Sequence, residues 1–177
     1  MRSALSEPAR VSALGLIDSA GVGREVNSAL KSATLPGYGE TAIALSKTPL
    51  GATQRAWLRV PLLFARPERV PTEWFEEQYR LTQLPGFSEA VVAALRAQVD
   101  LGGQREVLLY RLPNLKVPTL IIWGESDRVF PVSQAREAVT HLREGSLELI
   151  QDCGHLPHVE RPDHFVAAFD RFLGEHR

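Results

Sequence analysis

The sequence has a single cysteine, Cys153, so no internal disulfide framework can form and a reducing compartment is expected. No C-x-x-C or H-E-x-x-H spacing occurs, which leaves its five histidines without a zinc signature. Charge of one sign is lacking as well. A formal net charge of −1 gives no electrostatic case for nucleic acid or for an anionic membrane surface. No apolar run approaches the roughly 20 residues of a membrane span. The apolar stretch Val11 to Ile17 is cut by Asp18, and no signal-peptide core with a small-residue cleavage site follows. A cytoplasmic protein is therefore expected. No internal repeat or low-complexity tract is present.

What remains is an ordinary globular composition, 44% apolar and 23% charged over 177 residues, which suits one domain or one domain carrying an insertion. Two apolar runs in the last third have the length and turn-bounded flanks of buried parallel strands: Thr119–Trp123 and Leu147–Ile150. An earlier run, Ala13 to Asp18, reads the same way. Each late run leads through a loop into a helix, one from about Val132 to Leu142 opened by Pro131, the other from about Pro162 to Leu173. In the latter, Phe165, Phe169, Phe172 and Leu173 form an apolar stripe that should pack on a sheet. From Arg24 to Leu112 the pattern is instead helical and punctuated by proline and glycine. Thr72 and Ser88 are the expected N-caps of two helices there. The chain thus reads as α/β, with a helical insertion over 24–112 and a core formed by 1–23 and 113–177.

The chemistry gathers at the ends of the two late strands. Asp127 follows the first and His155 follows the second, and in a parallel sheet both emerge at the carboxyl edge where ligands bind. An acid and a histidine so placed are the orienting half of an acid–base–nucleophile triad. Taken singly, Asp127 could be a turn residue and His155 a loop histidine satisfied by a backbone carbonyl. His158 and His164 compete for the histidine role but fall a turn further on and within the last helix. A metal set of Asp127, Asp152, His155 and His158 is conceivable but unsupported by spacing, and no metal or cofactor is expected. Cys153 sits too close in sequence to His155 for a thiol nucleophile and reads as a small buried residue.

The run Pro118 to Asp127, containing G-E-S-D, and the run Gly154 to Pro162, containing G-H-L-P-H-V-E-R-P, resemble the C-terminal third of the α/β-hydrolase superfamily. The resemblance implies a partial α/β-hydrolase parallel sheet, its last three strands, with a helical cap insertion. It implies Asp127 as the triad acid and His155 as the general base. Glu160 and Pro162 would begin the last helix. The middle of the chain resembles the family's cap, where Trp57, Leu62, Leu63, Phe64, Trp74 and Tyr79 could line an acyl pocket or simply form core.

Two family features are missing. No G-x-S-x-G nucleophile elbow occurs, nor an H-G-G oxyanion loop. Ser19 in Ile17-Asp18-Ser19-Ala20-Gly21 is the nearest serine, but Ile17 stands where the elbow needs glycine. The resemblance accordingly implies a serine upstream of Met1, a chain that by itself hydrolyses no ester, and an unpaired first strand that invites self-association. Leu156 after His155, where the family's C–C hydrolases, epoxide hydrolases and dehalogenases often carry Trp, favours a serine carboxylic-ester hydrolase acting on a small apolar ester-like molecule. Cleavage of C–C bonds or epoxides, and a non-catalytic remnant or binding module, are the alternatives.

Overall fold

The computed structural model describes residues 1–46 and 48–176. A short helix α1 (Arg2–Ser6) ends before Pro8, whose fixed φ opens a 3-10 turn, and the chain then enters strand β1 (Leu14–Ile17). Five helices follow: α2 (Ser28–Ala33), α3 (Tyr38–Ser46), α4 (Pro49–Leu63), α5 (Thr72–Thr82) and α6 (Phe87–Gln98). A two-residue hairpin, β2 (Val99–Asp100) with β3 (Gly103–Gln104), closes this segment. The chain returns to the main sheet as β4 (Thr119–Gly124), crosses over through α7 (Val132–His141) to β5 (Gly145–Ile150), and finishes with α8 (Pro157–Glu160) and α9 (Pro162–Glu175).

The main sheet is parallel with strand order β1-β4-β5, so the strand nearest the middle of the sequence of strands is also central in space. Every residue of β4 is buried, as a strand covered on both faces must be. Its side chains alternate. Leu120 and Ile122 join Ile150, Ala168 and Phe172 beneath α9, whereas Ile121 and Trp123 join the larger core with Leu16, Phe64, Ala135 and Ala138. Three of the four stripe residues of α9 pack as expected, Phe165, Phe169 and Phe172; Leu173 is 38% exposed and lies off that face.

The helix starts at Thr72 and Ser88 differ from expectation. Pro71 holds the N-cap position of α5 with extended backbone, and Thr72 is already helical. For α6 the cap is Gly86, at φ 76°, a left-handed conformation that glycine adopts without a Cβ clash. Ser88 is buried inside the first turn and accepts a hydrogen bond from Arg55. In both cases a residue with a preset or unrestricted φ took the boundary ahead of the hydroxyl.

Among the described residues no helix is long and apolar enough to cross a membrane. The outer side of β1 has no strand neighbour among the described residues.

Candidate active site

The parallel ladders run past the formal strand ends and carry the loops with them. Asp18 N–H donates to Ile122 O at 3.0 Å, and Glu125 N–H donates to Ile150 O at 3.0 Å. The turn Gly124-Glu125-Ser126-Asp127 then closes on itself, with Asp127 N–H donating to Gly124 O at 3.1 Å. Asp127 is fixed by its own side chain: Oδ1 accepts from Val129 N–H at 2.7 Å and from Phe130 N–H at 3.2 Å, the local bonding that short acids favour in turns. Val129 and Phe130 are buried, which anchors this loop in the core.

His155 Nδ1 lies 3.0 Å from Asp127 Oδ2, and the Asp127 side chain has no solvent exposure while that of His155 retains 20%. The imidazole also meets the Phe130 ring edge-on, with centroids 5.4 Å apart. With Nδ1 held by the carboxylate, the opposite ring nitrogen, Nε2, is left with its lone pair to accept a proton. This is the arrangement of a general base whose tautomer an acid sets.

The histidine loop is clamped from the helical segment. His155 N–H donates to Leu63 O at 2.8 Å, the last residue of α4. Buried Glu160 receives three backbone N–H groups: Gly154 at 2.7 Å, Ala65 at 3.1 Å and Arg66 at 2.8 Å. It is the bracket that ties the histidine loop to the end of α4. Glu160, expected at the start of the last helix, instead closes α8, and only Pro162 opens α9. The close approach also needs glycine on both sides. A Cβ on Gly154 would stand 2.5 Å from Leu63 O, and one on Gly124 would drive into the backbone carbonyls of Gly154 and Cys153. Gly124→Ala is therefore expected to destabilise the fold by about 3 kcal/mol, seen as a lowered midpoint in urea unfolding with an unchanged slope.

A second acid stands behind the pair. Asp18, at φ 39° and 4% exposed, accepts Gly124 N–H on Oδ1 at 3.0 Å. Burial pushes its carboxyl up to about 8; the Gly124 hydrogen bond opposes this, and the nearby Asp127 carboxylate adds to it. Asp18, Asp127 and His155 bring one side-chain oxygen or nitrogen each to within 4.8 Å of one another. That spacing alone could hold a cation, but the facing atoms of Asp127 and His155 bond to each other and Asp127 Oδ1 is taken by two backbone groups. The other members of the conceivable metal set lie apart. Asp152 is exposed and paired with Arg66 at 2.9 Å and Arg161 at 3.7 Å, while His158 is exposed and turns its ring toward Phe165. Partial loss of solvent around its ring, and then the proximity of His155, lowers the His158 imidazole.

The competing nucleophiles are not brought to the imidazole. Cys153 is fully buried, and burial first, then Glu160 and Asp18, pushes its thiol up to about 12, far from a reactive thiolate. Ser19 donates to the carbonyl of its neighbour Ala20 at 3.1 Å. It lines a cleft of about 520 Å³ with Gly21, Gln104 and Leu108, a cleft whose lining includes neither Asp127 nor His155. His164 is exposed on α9. Of the six apolar residues expected near a substrate pocket, Leu62, Leu63, Phe64 and Trp74 join the core that reaches Val129 and Phe130. Trp57 and Tyr79 are 56% and 40% exposed and face outward.

A parallel sheet with an aspartate and a histidine bonded to each other beyond adjacent strand ends defines an α/β protein with a carboxylate–imidazole pair at its carboxyl edge. A family model, described as the Alpha/beta hydrolase family, matches residues 9–169, and the chain belongs to that family. It is 31% identical over 182 aligned positions to an uncharacterized protein of Mycobacterium tuberculosis, covering 98% of this chain and 52% of that protein. It is 29% identical to a 2-hydroxymuconate semialdehyde hydrolase of Pseudomonas putida, covering 97% of this chain and 57% of the relative. A solved membrane phospholipase A superimposes with a TM-score of 0.69 at 26% identity, over 98% of this chain and 52% of that one. The chain thus spans about half the length of the curated relatives it matches.

Proposed function

We propose that these residues form the acid–base half of a serine carboxylic-ester hydrolase, with Asp127 orienting His155 and the nucleophilic serine contributed by a segment outside the 177 residues. The observation that carries this reading is the bond of 3.0 Å between Nδ1 of a histidine whose side chain keeps 20% exposure and a fully buried carboxylate. In the first step His155 Nε2 takes the serine proton as the hydroxyl attacks the ester carbonyl. The resulting imidazolium, stabilised by Asp127, returns the proton to the departing alkoxide. An acyl-enzyme remains. In the second step His155 removes a proton from water, which attacks the acyl carbon; the acyl–serine bond breaks, and the imidazolium returns that proton to the departing serine oxygen as the acid leaves. The helical segment 24–112 acts as the cap, and residues at the end of α4, Leu62 to Phe64, border the site through the Leu63 carbonyl. The free side of β1 is the surface we assign to pairing, either with the serine-bearing segment or with a second copy.

A second reading has support of its own. The likeness to a 2-hydroxymuconate semialdehyde hydrolase runs over nearly the whole chain, and hydrolysis of a C–C bond would use the same histidine as base. Leu156 beside His155 favours the ester reading. One experiment separates them: a polypeptide carrying this chain together with a G-x-S-x-G segment is assayed on a short p-nitrophenyl ester and on a ring-fission dienoate. Faster turnover of the ester by about 100-fold or more is expected; the reverse preference would establish the C–C reading.

A further inference from the structure

Asp18 plays no part in the scheme above, yet it is the most confined carboxyl group around the pair. Its residue is 4% exposed, held at a positive φ of 39° just past β1. Its Oδ1 takes the Gly124 N–H, which pins the side chain against the start of the turn that carries Asp127. Its Oδ2 is buried and has no hydrogen-bond donor among the described residues. An ionised oxygen in that position would be a desolvated negative charge beside a second negative charge, the least favourable state for two carboxylates that share one site. A protonated oxygen is a donor, and the neighbouring acceptor is the Asp127 carboxylate, which brings an oxygen to within 4.8 Å of one on Asp18.

The titratable groups facing Asp18 are few. Asp127 approaches from the loop after β4, and His155 and Cys153 from the loop after β5. Glu160, which also acts on Cys153, adds a further negative charge in that neighbourhood, and Arg161 a positive one. Asp18 and Asp127, with side-chain oxygens within 4.8 Å, divide their roles by what surrounds them. Asp127 has two backbone N–H groups and the imidazole to stabilise its charge, whereas Asp18 has one backbone N–H.

We infer that Asp18 is a positioning residue: held as a neutral carboxylic acid, it donates its Oδ2 hydrogen to Asp127 and so fixes the carboxylate that orients His155. This rests on the reading of Asp127 and His155 as the acid and base. The proton is shared between two acids and none is transferred to substrate. The Asp127 carboxylate then receives two backbone N–H groups, the imidazole N–H and the Asp18 O–H, and keeps its negative charge for the imidazolium. The arrangement also fixes a sign for pH. The acid is protonated in the folded state and ionised in the unfolded chain above about 4, so its stabilising part is complete below that value. It is lost as pH rises through about 8, where folded Asp18 ionises beside Asp127.

The test uses this chain with 13C-labelled aspartate carboxyl groups. Asp18→Asn identifies the Asp18 signal and supplies a neutral amide that can still donate to Asp127 and accept from Gly124. The Asp18 carboxyl is expected to stay protonated at pH of about 6 and to titrate well above the ordinary range near 4. The downfield proton on His155 Nδ1 should persist in Asp18→Asn and disappear in Asp18→Ala. The thermal midpoint of the native chain should fall between pH of about 6 and about 9, and Asp18→Asn should flatten that fall. An Asp18 signal titrating near 4, or loss of the Nδ1 proton in Asp18→Asn as in Asp18→Ala, overturns the inference. These readouts are independent of turnover, so the inference and the hydrolase reading fail separately.

Discussion

Replacing His155 by alanine is expected to lower kcat/KM for ester hydrolysis by about 10⁴-fold or more in a polypeptide that carries the serine. The size follows from the number of steps that use the ring. In the proposed mechanism Nε2 accepts the serine proton, delivers a proton to the leaving alkoxide and later activates water, so no single step would survive its removal at the native rate. Asp127→Asn tests the partner. An asparagine can turn its NH₂ toward Nδ1 and force that nitrogen to accept, which places the hydrogen on Nε2, where a base cannot have it. A loss of about 10⁴-fold in kcat with little change in KM is expected, since the carboxylate acts in the transition state and touches no substrate. Steady-state kinetics on a short p-nitrophenyl ester checks both. The neighbouring His158, exposed and turned to Phe165, serves as the control, and His158→Ala should retain most of the activity.

The second large effect is structural. Glu160→Ala removes one side chain that receives three backbone N–H groups, on Gly154, Ala65 and Arg66, from two different parts of the chain. Hydrogen bonds to a charged acceptor contribute about 1.5–3 kcal/mol each, and donors stranded in a buried site cost more than the lost bonds alone. Relaxation and entering water recover part of that, which leaves an expected loss of about 3–5 kcal/mol, or roughly 10 °C in melting temperature for a chain of this size. Glu160→Gln should fall between, because its NH₂ must face a donor that the second oxygen accepted. Activity should fall along with stability in both, since the same bonds hold Gly154 next to His155. Thermal unfolding of the three proteins, compared at one pH, gives the order.

Much of this was legible in the sequence, and the reasons are local. The central strand is a continuous buried apolar run, so Thr119–Trp123 stands out. Leu147–Ile150, expected to be buried as well, is interrupted by Glu148 and buries only Ile150. The turn chemistry after both places Asp127 and His155. Their meeting was inferable because parallel strands deliver both loops to one edge. Glu160 was harder. Its role depends on carbonyl and amide positions at the end of α4, almost a hundred residues earlier, and no periodicity encodes that contact. Asp18 gives a weaker signal for a simpler reason: it directly follows an apolar strand, and the loop after it carries no motif. The helices begin one and two residues ahead of what capping by Thr72 and Ser88 would give, because the backbone angles of Pro71 and Gly86 set the boundary before side-chain capping can. The apolar residues Trp57 and Tyr79 show the limit of composition, since an aromatic at helical spacing does not reveal whether it faces core or water.

The acid–imidazole pair matters only if it activates a nucleophile, and covalent labelling measures that in one step. A fluorophosphonate ester, which reacts with a serine only when a base withdraws its proton, is added to the polypeptide that carries both this chain and a G-x-S-x-G segment, and the adduct is followed by intact mass. Stoichiometric labelling of that serine is expected, with the rate falling to background in His155→Ala. Equal labelling of the native protein and His155→Ala would contradict the assignment of His155 as the base.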